Sequence, residues 1–104
     1  MVKFMGVIRL KPGYDPDETW QLWRTKHAQW YKNLARPELK HYTINRVIKT
    51  IGDSDIFGIS ESVFDDLDSC VRALNRFLSA PPDEVLSRFQ PDRLILEFEE
   101  IPLD

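Results

Sequence analysis

The sequence of 104 residues predicts a single α+β domain, residues 1–104, with the element order β-α-β-β-α-α-β. Apolar residues recur at three- and four-residue steps in residues 15–34 and 66–79, which is the period of one helix face. Short segments rich in β-branched residues separate these helices and have the composition of strands. A split βαβ order of this kind gives a four-stranded antiparallel sheet with both main helices on one face.

The first strand is predicted over residues 2–10, with one apolar face and one mixed face, because strand side chains alternate. The apolar face carries Phe4, Gly6, Ile8 and Leu10, and the mixed face carries Lys3, Met5, Val7 and Arg9. A strand whose outer face is not cleanly polar is often covered on that side too. The mixed face is therefore expected to bind a ligand or nucleic acid, or to pack against a second copy.

Residues 15–34 predict one amphipathic helix. Asp15 is a good N-cap, Pro16 fits the first helical position, and Glu18 stands where a capping box needs an acid. One face carries Trp20, Trp23, His27, Trp30, Tyr31 and Leu34. All three tryptophans of the chain thus lie on this helix, around a single imidazole.

The later elements follow from the same patterns. The second strand is predicted over residues 39–51, a tight hairpin turn over 52–54 and the third strand over 55–64. A second helix, capped by Asp65, ends at Ala80 before two prolines, a short helix covers residues 83–89, and the last strand spans 93–101.

Composition excludes several classes of protein. A net charge of −3 and a pI near 5.3 argue against a nucleic-acid or anionic-membrane surface. The single cysteine, Cys70, cannot form an internal disulfide and fits a reducing compartment, so a cytoplasmic location is expected. The sequence has no signal-peptide pattern, no membrane span and no cofactor-binding motif, and two distant histidines do not indicate a metal site. We therefore expect no cofactor and no metal.

His27 is the leading candidate for chemistry, because an imidazole transfers protons near neutral pH and an apolar wall tunes its pKa. Tyr31 lies one turn further and can orient it or share a proton; the alternative is a core histidine that fills space. Candidate substrate-binding residues are Trp20, Trp23, Trp30, His41 and Asn45. The tryptophans otherwise form core or dimer packing, and His41 and Asn45 otherwise face solvent. Arg24 is expected to pair with Asp17 or Glu18.

Three segments together resemble the EthD family. They are FMGVIRLKPG, then Trp23-Arg24 followed by His27-Ala28, then HYTINRV with Tyr42 and Asn45. The resemblance implies a dimeric α+β barrel of the ferredoxin-like kind, in which the sheets of two subunits face each other. It also implies a pocket between sheet and helices. The third strand departs from the family pattern, because Phe57 stands where members commonly carry an aspartate before the glycine.

Family and superfamily members include isomerases of methyl-substituted lactones, small cyclases, decarboxylases and cofactor-free oxygenases. Together with the candidate imidazole, the resemblance implies an enzyme that acts by proton transfer on an aromatic, lactone or polyketide-like molecule. The reaction would be an isomerisation, cyclisation, dehydration or decarboxylation, with His27 as general acid/base, which Tyr31 can assist. The alternative is a non-catalytic dimeric binding or accessory protein of the same fold. A nucleic-acid module with bases stacked on its central strands is disfavoured, because the third strand has an acid where such modules begin with a basic residue.

Overall fold

A computed structural model describes residues 1–104, and it confirms the predicted α+β class. Four strands form one antiparallel sheet in the order β2-β3-β1-β4, with both main helices on one face. The strands are β1 (Val2–Leu10), β2 (His41–Arg46), β3 (Ile56–Phe64) and β4 (Phe89–Glu97). Helix α1 runs through three segments, Pro16–Leu22, Trp23–His27 and Ala28–Ala35, and helix α2 covers Leu67–Ser79. No helix is both long and apolar enough to cross a membrane.

The two predicted faces of the sheet are observed. Phe4 and Ile8 of β1 are buried beneath the helices and contribute to two core clusters. The outer face is mixed: Met5 and Val7 lie beside an ion pair between Lys3 and Glu61, 3.1 Å long. That outer face carries no aromatic base platform, because Phe57 packs inward against Trp23, 5.9 Å between ring centroids.

Several element bounds differ from prediction. β2 ends at Arg46, so residues 47–55 form a longer connection than a tight hairpin turn. Asp66, not Asp65, caps α2 by accepting from the Ser69 backbone N–H at 2.8 Å. The predicted short helix is only a 3₁₀ turn, Leu86–Arg88.

The last strand begins and ends earlier than expected. It starts at Phe89, which pairs with Leu10, and its ladder stops where Glu97 pairs with Val2. Residues 98–101 have no β1 residue left to pair with across the sheet, because β1 itself begins at Val2. Their strand-like sequence therefore stays outside the sheet.

Helix α1 contains a π-helical turn that the sequence pattern did not predict. The start is as expected, since Asp15 accepts from the Asp17 backbone N–H at 3.2 Å and Pro16 opens the helix. At Trp23–His27 the helix widens. The Thr25 hydroxyl donates to the Gln21 carbonyl at 2.6 Å, a local bond of the type that bends helices. π turns are rare and occur frequently at functional sites.

The wider turn keeps residues four apart in line. In a regular α-helix, residues four apart drift by about 40° per step, because one turn takes 3.6 residues. Here the buried positions of α1 recur every four residues without a break: Thr19, Trp23, His27, Tyr31 and Ala35. We call this set the buried row. The next position along forms a parallel, more exposed row: Trp20, Arg24, Ala28, Lys32 and Arg36. We call it the groove row.

Candidate active site

A small cavity of ≈ 40 Å³ lies between the sheet and the helices. Its lining is mostly apolar, with polar groups from His27, Tyr31, Tyr42, Ser60 and Arg93. Gly6 leaves room above β1, because a Cβ there would lie 2.7 Å from the Ser60 hydroxyl oxygen. The cavity has space for about three water molecules.

Beside this cavity, the buried His27 forms a dyad with the half-buried Asp83. Its Nδ1 lies 2.8 Å from Oδ2 of Asp83, and the imidazole is 5% exposed. The second carboxylate oxygen, Oδ1, accepts from the Leu86 backbone N–H at 2.8 Å. The 3₁₀ turn thus fixes the carboxylate, and the carboxylate fixes the ring.

The electrostatics of the dyad favour a neutral imidazole. Burial lowers the pKa of His27 below its usual 6.5, although the charge of Asp83 and its hydrogen bond act in the opposite direction. A neutral ring that donates Nδ1–H to Asp83 keeps a lone pair on Nε2. His27 makes no other hydrogen bond, so Nε2 is available to a ligand as a base.

Two tyrosines add phenol groups to the cavity wall. The hydroxyl of Tyr31 lies 2.7 Å from the Ser62 hydroxyl, and the ring of Tyr42 lies 4.8 Å from that of Tyr31. Burial raises the pKa of Tyr31 to about 12, and it raises the pKa of Tyr42 as well. Both groups therefore stay protonated near neutral pH, as phenols that donate or accept hydrogen bonds.

Trp23 of α1 packs onto β3 and closes the cavity on the side of the sheet. It is 1% exposed, and a Cβ on Gly58 would lie 2.5 Å from its ring and 2.5 Å from the Asn45 carbonyl oxygen. The departure from the family pattern at Phe57 has a structural role here. Its ring packs against Trp23 and lies 6.2 Å from Phe89, so it fills a core position.

The structure brings together only part of the predicted set. His27, Tyr31 and Trp23 line the cavity, and Trp30 packs on His27 with 5.3 Å between ring centroids. Trp20 lies on the groove row instead, although its edge contacts Trp23 at 5.5 Å.

His41 and Asn45 lie on the outer face of β2, opposite the side chain of Tyr42. The Asn45 amide donates to Glu61 at 3.1 Å on that face. Within one chain, His41 and His27 therefore do not share a cavity.

The expected ion pair of Arg24 is wrong. Asp17 binds Arg46 at 2.6 Å, and Glu18 binds Arg88 at 3.0 Å instead of closing a capping box. Both acids are drawn to partners from other elements, and Arg24 lies over the Trp20 ring at 5.9 Å.

Asp83 is the residue that sequence reasoning missed. It lies 56 positions from His27, in a segment predicted as a helix start. The sequence indicated only that a short helix begins at this carboxylate, after two prolines. One oxygen of Asp83 accepts from the Leu86 backbone N–H, and the other contacts the imidazole. No group of three or more histidines, cysteines or acids is placed to hold a metal ion.

Solved structures share this fold. An EthD family protein from Bacillus halodurans superposes with a TM-score of 0.67 at 16% identity, over 95% of this chain and 99% of that one. SnoaB, a cofactor-independent oxygenase from Streptomyces nogalater, gives 0.60 at 14% identity over 96% and 94%. A dimeric ferredoxin-like protein of unknown function from Thermobifida fusca gives 0.61 at 16% over 93% and 88%.

No protein-family model and no curated protein sequence matches the chain. The likeness to EthD proteins is thus confirmed by structure, at the level of the fold. Fold likeness at such identities does not carry activity, so the reaction must be argued from the site.

Proposed function

We propose that this protein is a small enzyme that transfers protons without a cofactor, with His27 as general acid/base. The observation that carries this proposal is the buried His27, which lines a mainly apolar cavity and is hydrogen-bonded to the half-buried Asp83 behind it. A core histidine that only fills space needs one backbone partner. Here a carboxylate, itself fixed by the Leu86 N–H, sets the tautomer that leaves Nε2 basic.

The proposed step is an isomerisation by proton transfer. Nε2 of His27 takes a proton from a carbon next to a carbonyl group, and the electron pair of that C–H bond moves to the carbonyl oxygen as an enolate. Asp83 stabilises the imidazolium that forms. The proton then returns to a different carbon of the same molecule, so atoms and charge balance. The phenol groups of Tyr31 and Tyr42 also line the cavity, and they are the hydrogen-bond donors that we assign to the enolate oxygen.

The lining of the cavity supports the proposed substrate class. Aromatic and aliphatic walls suit a hydrophobic ring, such as an aromatic, lactone or polyketide-like molecule. SnoaB, which shares the fold, is described as a cofactor-independent oxygenase, and this supports small-molecule chemistry for the present chain. A ring needs more than ≈ 40 Å³, so the cavity must widen. The Arg93 side chain makes no hydrogen bond, is exposed and lies over the Phe77 ring at 5.7 Å, so it is the part of the cavity wall that we propose is displaced.

We also propose a homodimer joined through the outer sheet face. Met5, Val7 and Ile59 lie there beside Leu94 of β4, which is exposed in the single chain. An apolar surface of this extent commonly marks an interface. The related Thermobifida protein is described as dimeric, which supports the same assembly. A buried, unpaired thiol at Cys70 is consistent with a reducing cytoplasm, where we place this one-domain protein.

Hydrogen exchange from solvent into C–H acids tests the reaction. Methyl-substituted butenolides and aryl 1,3-diketones are incubated with the protein in D2O, and deuterium uptake at carbon is followed by NMR. Wild type is expected to accelerate uptake for at least one probe, and His27→Gln to abolish the acceleration. Asp83→Asn is expected to lower it by about a hundredfold, because the ring loses its orienting charge. Gln29→Ala, an exposed change on the same helix, is the matched control.

A non-catalytic binding or accessory protein of the same fold is the second candidate, and the small volume of the cavity favours its accessory form. With room for only a few waters, and Tyr31 already bonded to Ser62, the site can serve as a polar core. A probe that binds and stays undeuterated over long incubation would support this reading. Uptake that His27→Gln leaves unchanged would remove His27 from the reaction.

A further inference from the structure

Arg88 ends the 3₁₀ turn and is a buried cation that does not line the cavity. It is 8% exposed. Its guanidinium donates to the Thr19 hydroxyl at 3.0 Å, to the Glu18 carboxylate at 3.0 Å and to the Glu84 carboxylate at 3.1 Å. The guanidinium also lies over the ring of Tyr14, 4.9 Å from its centroid. We call Arg88 and these four partners the Arg88 clamp.

The Arg88 clamp is not the arrangement that stability alone would favour. A buried guanidinium is stable when each of its donors is paired, yet Nε of Arg88 is buried without a hydrogen-bond partner. Well-packed apolar side chains often replace such buried ion pairs without loss of stability. A buried polar network adds direction, because its hydrogen bonds form in only one geometry. The clamp is therefore expected to fix the orientation of the segment that carries it.

Asp83 and Arg88 fasten the two ends of one short segment to the same helix. Asp83 begins the segment and contacts His27, whereas Arg88 ends it and contacts Thr19. Thr19 and His27 both belong to the buried row of α1, about 12 Å apart along the helix axis at 1.5 Å per residue. Residues 83–88 thus span about two turns of α1, with a side-chain hydrogen bond at each end.

The segment between these two contacts is held together by its own hydrogen bonds. Asp83 accepts from the Leu86 N–H at 2.8 Å through Oδ1 and from the Ser87 N–H at 3.3 Å through its carbonyl. The Arg88 N–H donates to the Val85 carbonyl at 2.9 Å. Val85 also packs in the core, but an apolar contact has no preferred direction. A movement of Arg88 would therefore turn the segment and carry the Asp83 carboxylate away from the imidazole.

The chain before Asp83 offers no comparable support. Helix α2 ends at Ser79, and residues 80–82 connect it to Asp83. Pro81 and Pro82 are exposed, and neither has a backbone N–H to donate. The position of Asp83 is therefore set from its C-terminal side, where Arg88 is the buried polar contact.

We propose that Arg88 is a positioning residue for the His27–Asp83 dyad. By holding the 3₁₀ turn against Thr19 and Glu18, it keeps the Asp83 carboxylate at hydrogen-bond distance from Nδ1 of His27, so that Nε2 remains the basic nitrogen. This role rests on the proposed function, in which His27 is the base. The coupling of Arg88 to Asp83 is nevertheless measurable without a substrate.

The titration of His27, followed by NMR of its ring protons in the free protein, tests the coupling. Arg88→Met is expected to lower the pKa of His27, as Asp83→Asn does, because the imidazolium loses the favourable charge of the carboxylate. The direct consequences of losing Arg88 have the opposite sign, since removing a cation or admitting water to the ring raises the pKa of His27. In the Asp83→Asn background, Arg88→Met should not lower that pKa further.

Thr19 supplies a milder variant that keeps every charge. Thr19→Val has nearly the same shape but no hydroxyl to accept from Arg88, so it should also lower the pKa of His27, whereas Thr19→Ser should leave it as in wild type. Arg76→Met is the matched control. Arg76 ties the other end of α1 by donating to the Leu34 carbonyl at 2.7 Å, so its loss should lower stability to urea and leave the titration of His27 unchanged.

Deuterium uptake by the butenolides and aryl 1,3-diketones is the second readout. Arg88→Met is expected to lower the acceleration about tenfold, with the half-saturating concentration of the probe unchanged, because the base loses its orientation and the cavity wall stays intact. When Arg88→Met is combined with Asp83→Asn, the loss should stay near the hundredfold of Asp83→Asn alone. The two changes remove the same contact, so their effects do not add.

An unchanged or raised pKa of His27 in Arg88→Met overturns the proposal, as does an equal lowering in Arg76→Met. If Arg88→Met does not fold, Thr19→Val decides the matter by the same titration. The proposed reaction fails separately. If the pKa of His27 falls as expected while wild type accelerates no uptake, Arg88 does position the dyad, and it is the proposed catalysis that is wrong.

Discussion

The two rows of α1 differ by a single position in sequence and by nearly everything in environment. The buried row holds His27 and Tyr31 at a small cavity, each hydrogen-bonded to one polar partner. The groove row holds Arg24, Lys32 and Arg36 near the surface, with no ion-pair partner in the chain. The polar groups of the buried row are hydrogen-bonded within the chain, whereas the cations of the groove row are free to bind a ligand.

This difference follows from the free-energy cost of burying a polar group without a hydrogen-bond partner. A polar group inside must have a hydrogen-bond partner, so Asp83 and Ser62 are present where the buried row needs them. A cation at the surface is solvated by water and needs none. Substitutions in the buried row should therefore lower the free energy of unfolding more than substitutions in the groove row.

The largest effect is expected from Trp23→Ala. Trp23 is buried against Phe57 and Phe89, so its removal leaves a cavity and should cost about 4 kcal/mol in the free energy of unfolding. Trp20→Ala, three residues earlier on the groove row, should cost about 1 kcal/mol. Urea unfolding of both variants gives the comparison. Equal losses would show that the two rows are not distinct environments.

Gly58→Ala should cost about 2 kcal/mol, because its Cβ would meet the Trp23 ring and the rigid Asn45 backbone. Gly6→Ala is the matched change on β1, where the only close atom is the movable Ser60 hydroxyl. It should cost less than half as much in the same urea measurement. A larger loss at Gly6 would contradict the close contact described between Trp23 and β3.

The pH dependence of stability isolates His27. Its pKa is lowered in the folded state, so the unfolded chain binds the proton more readily. This contribution to stability is present above pH 6.5 and is lost as pH falls through 6.5 towards the folded pKa. His27→Gln should flatten the stability profile between pH 7 and about 5 in chemical denaturation. If the stability of His27→Gln depends on pH as steeply as that of wild type, then a group other than His27 is responsible for the pH dependence.

The smallest effect is expected from Lys32→Ala on the groove row. Lys32 has no ion-pair partner, so the free energy of unfolding of the monomer should change by less than about 0.5 kcal/mol. Thermal unfolding in dilute solution measures it. A loss above 1 kcal/mol would mean that the cation has a partner within its own chain.

Local patterns in the sequence were sufficient to predict the fold class and the main strands and helices. The span of β1, the Asp15 cap and the inward face of β1 follow from alternation and capping, which depend on neighbouring residues only. The class of the fold follows from element order. His27 was identified because an imidazole among tryptophans is unusual.

The remaining features depend on contacts that no local pattern encodes. Asp83 reaches His27 from 56 positions away, and the end of β4 is set by where β1 begins. The π turn was missed because a period of 3.6 describes a regular helix, and the buried row has a period of four.

The π turn also has a consequence for motion. A π turn interrupts the regular ladder of backbone hydrogen bonds at Trp23–His27, with the Ala28 amide shared between the carbonyls of Thr25 and Trp23. The ladder of α1 is therefore interrupted at its most buried turn. We expect the amides of Trp23–His27 to exchange faster than those of an equally buried regular helical turn, such as that around Ala73 and Leu74 in α2. His27 would then lie at the joint between the two regular halves of the helix, Pro16–Leu22 and Ala28–Ala35.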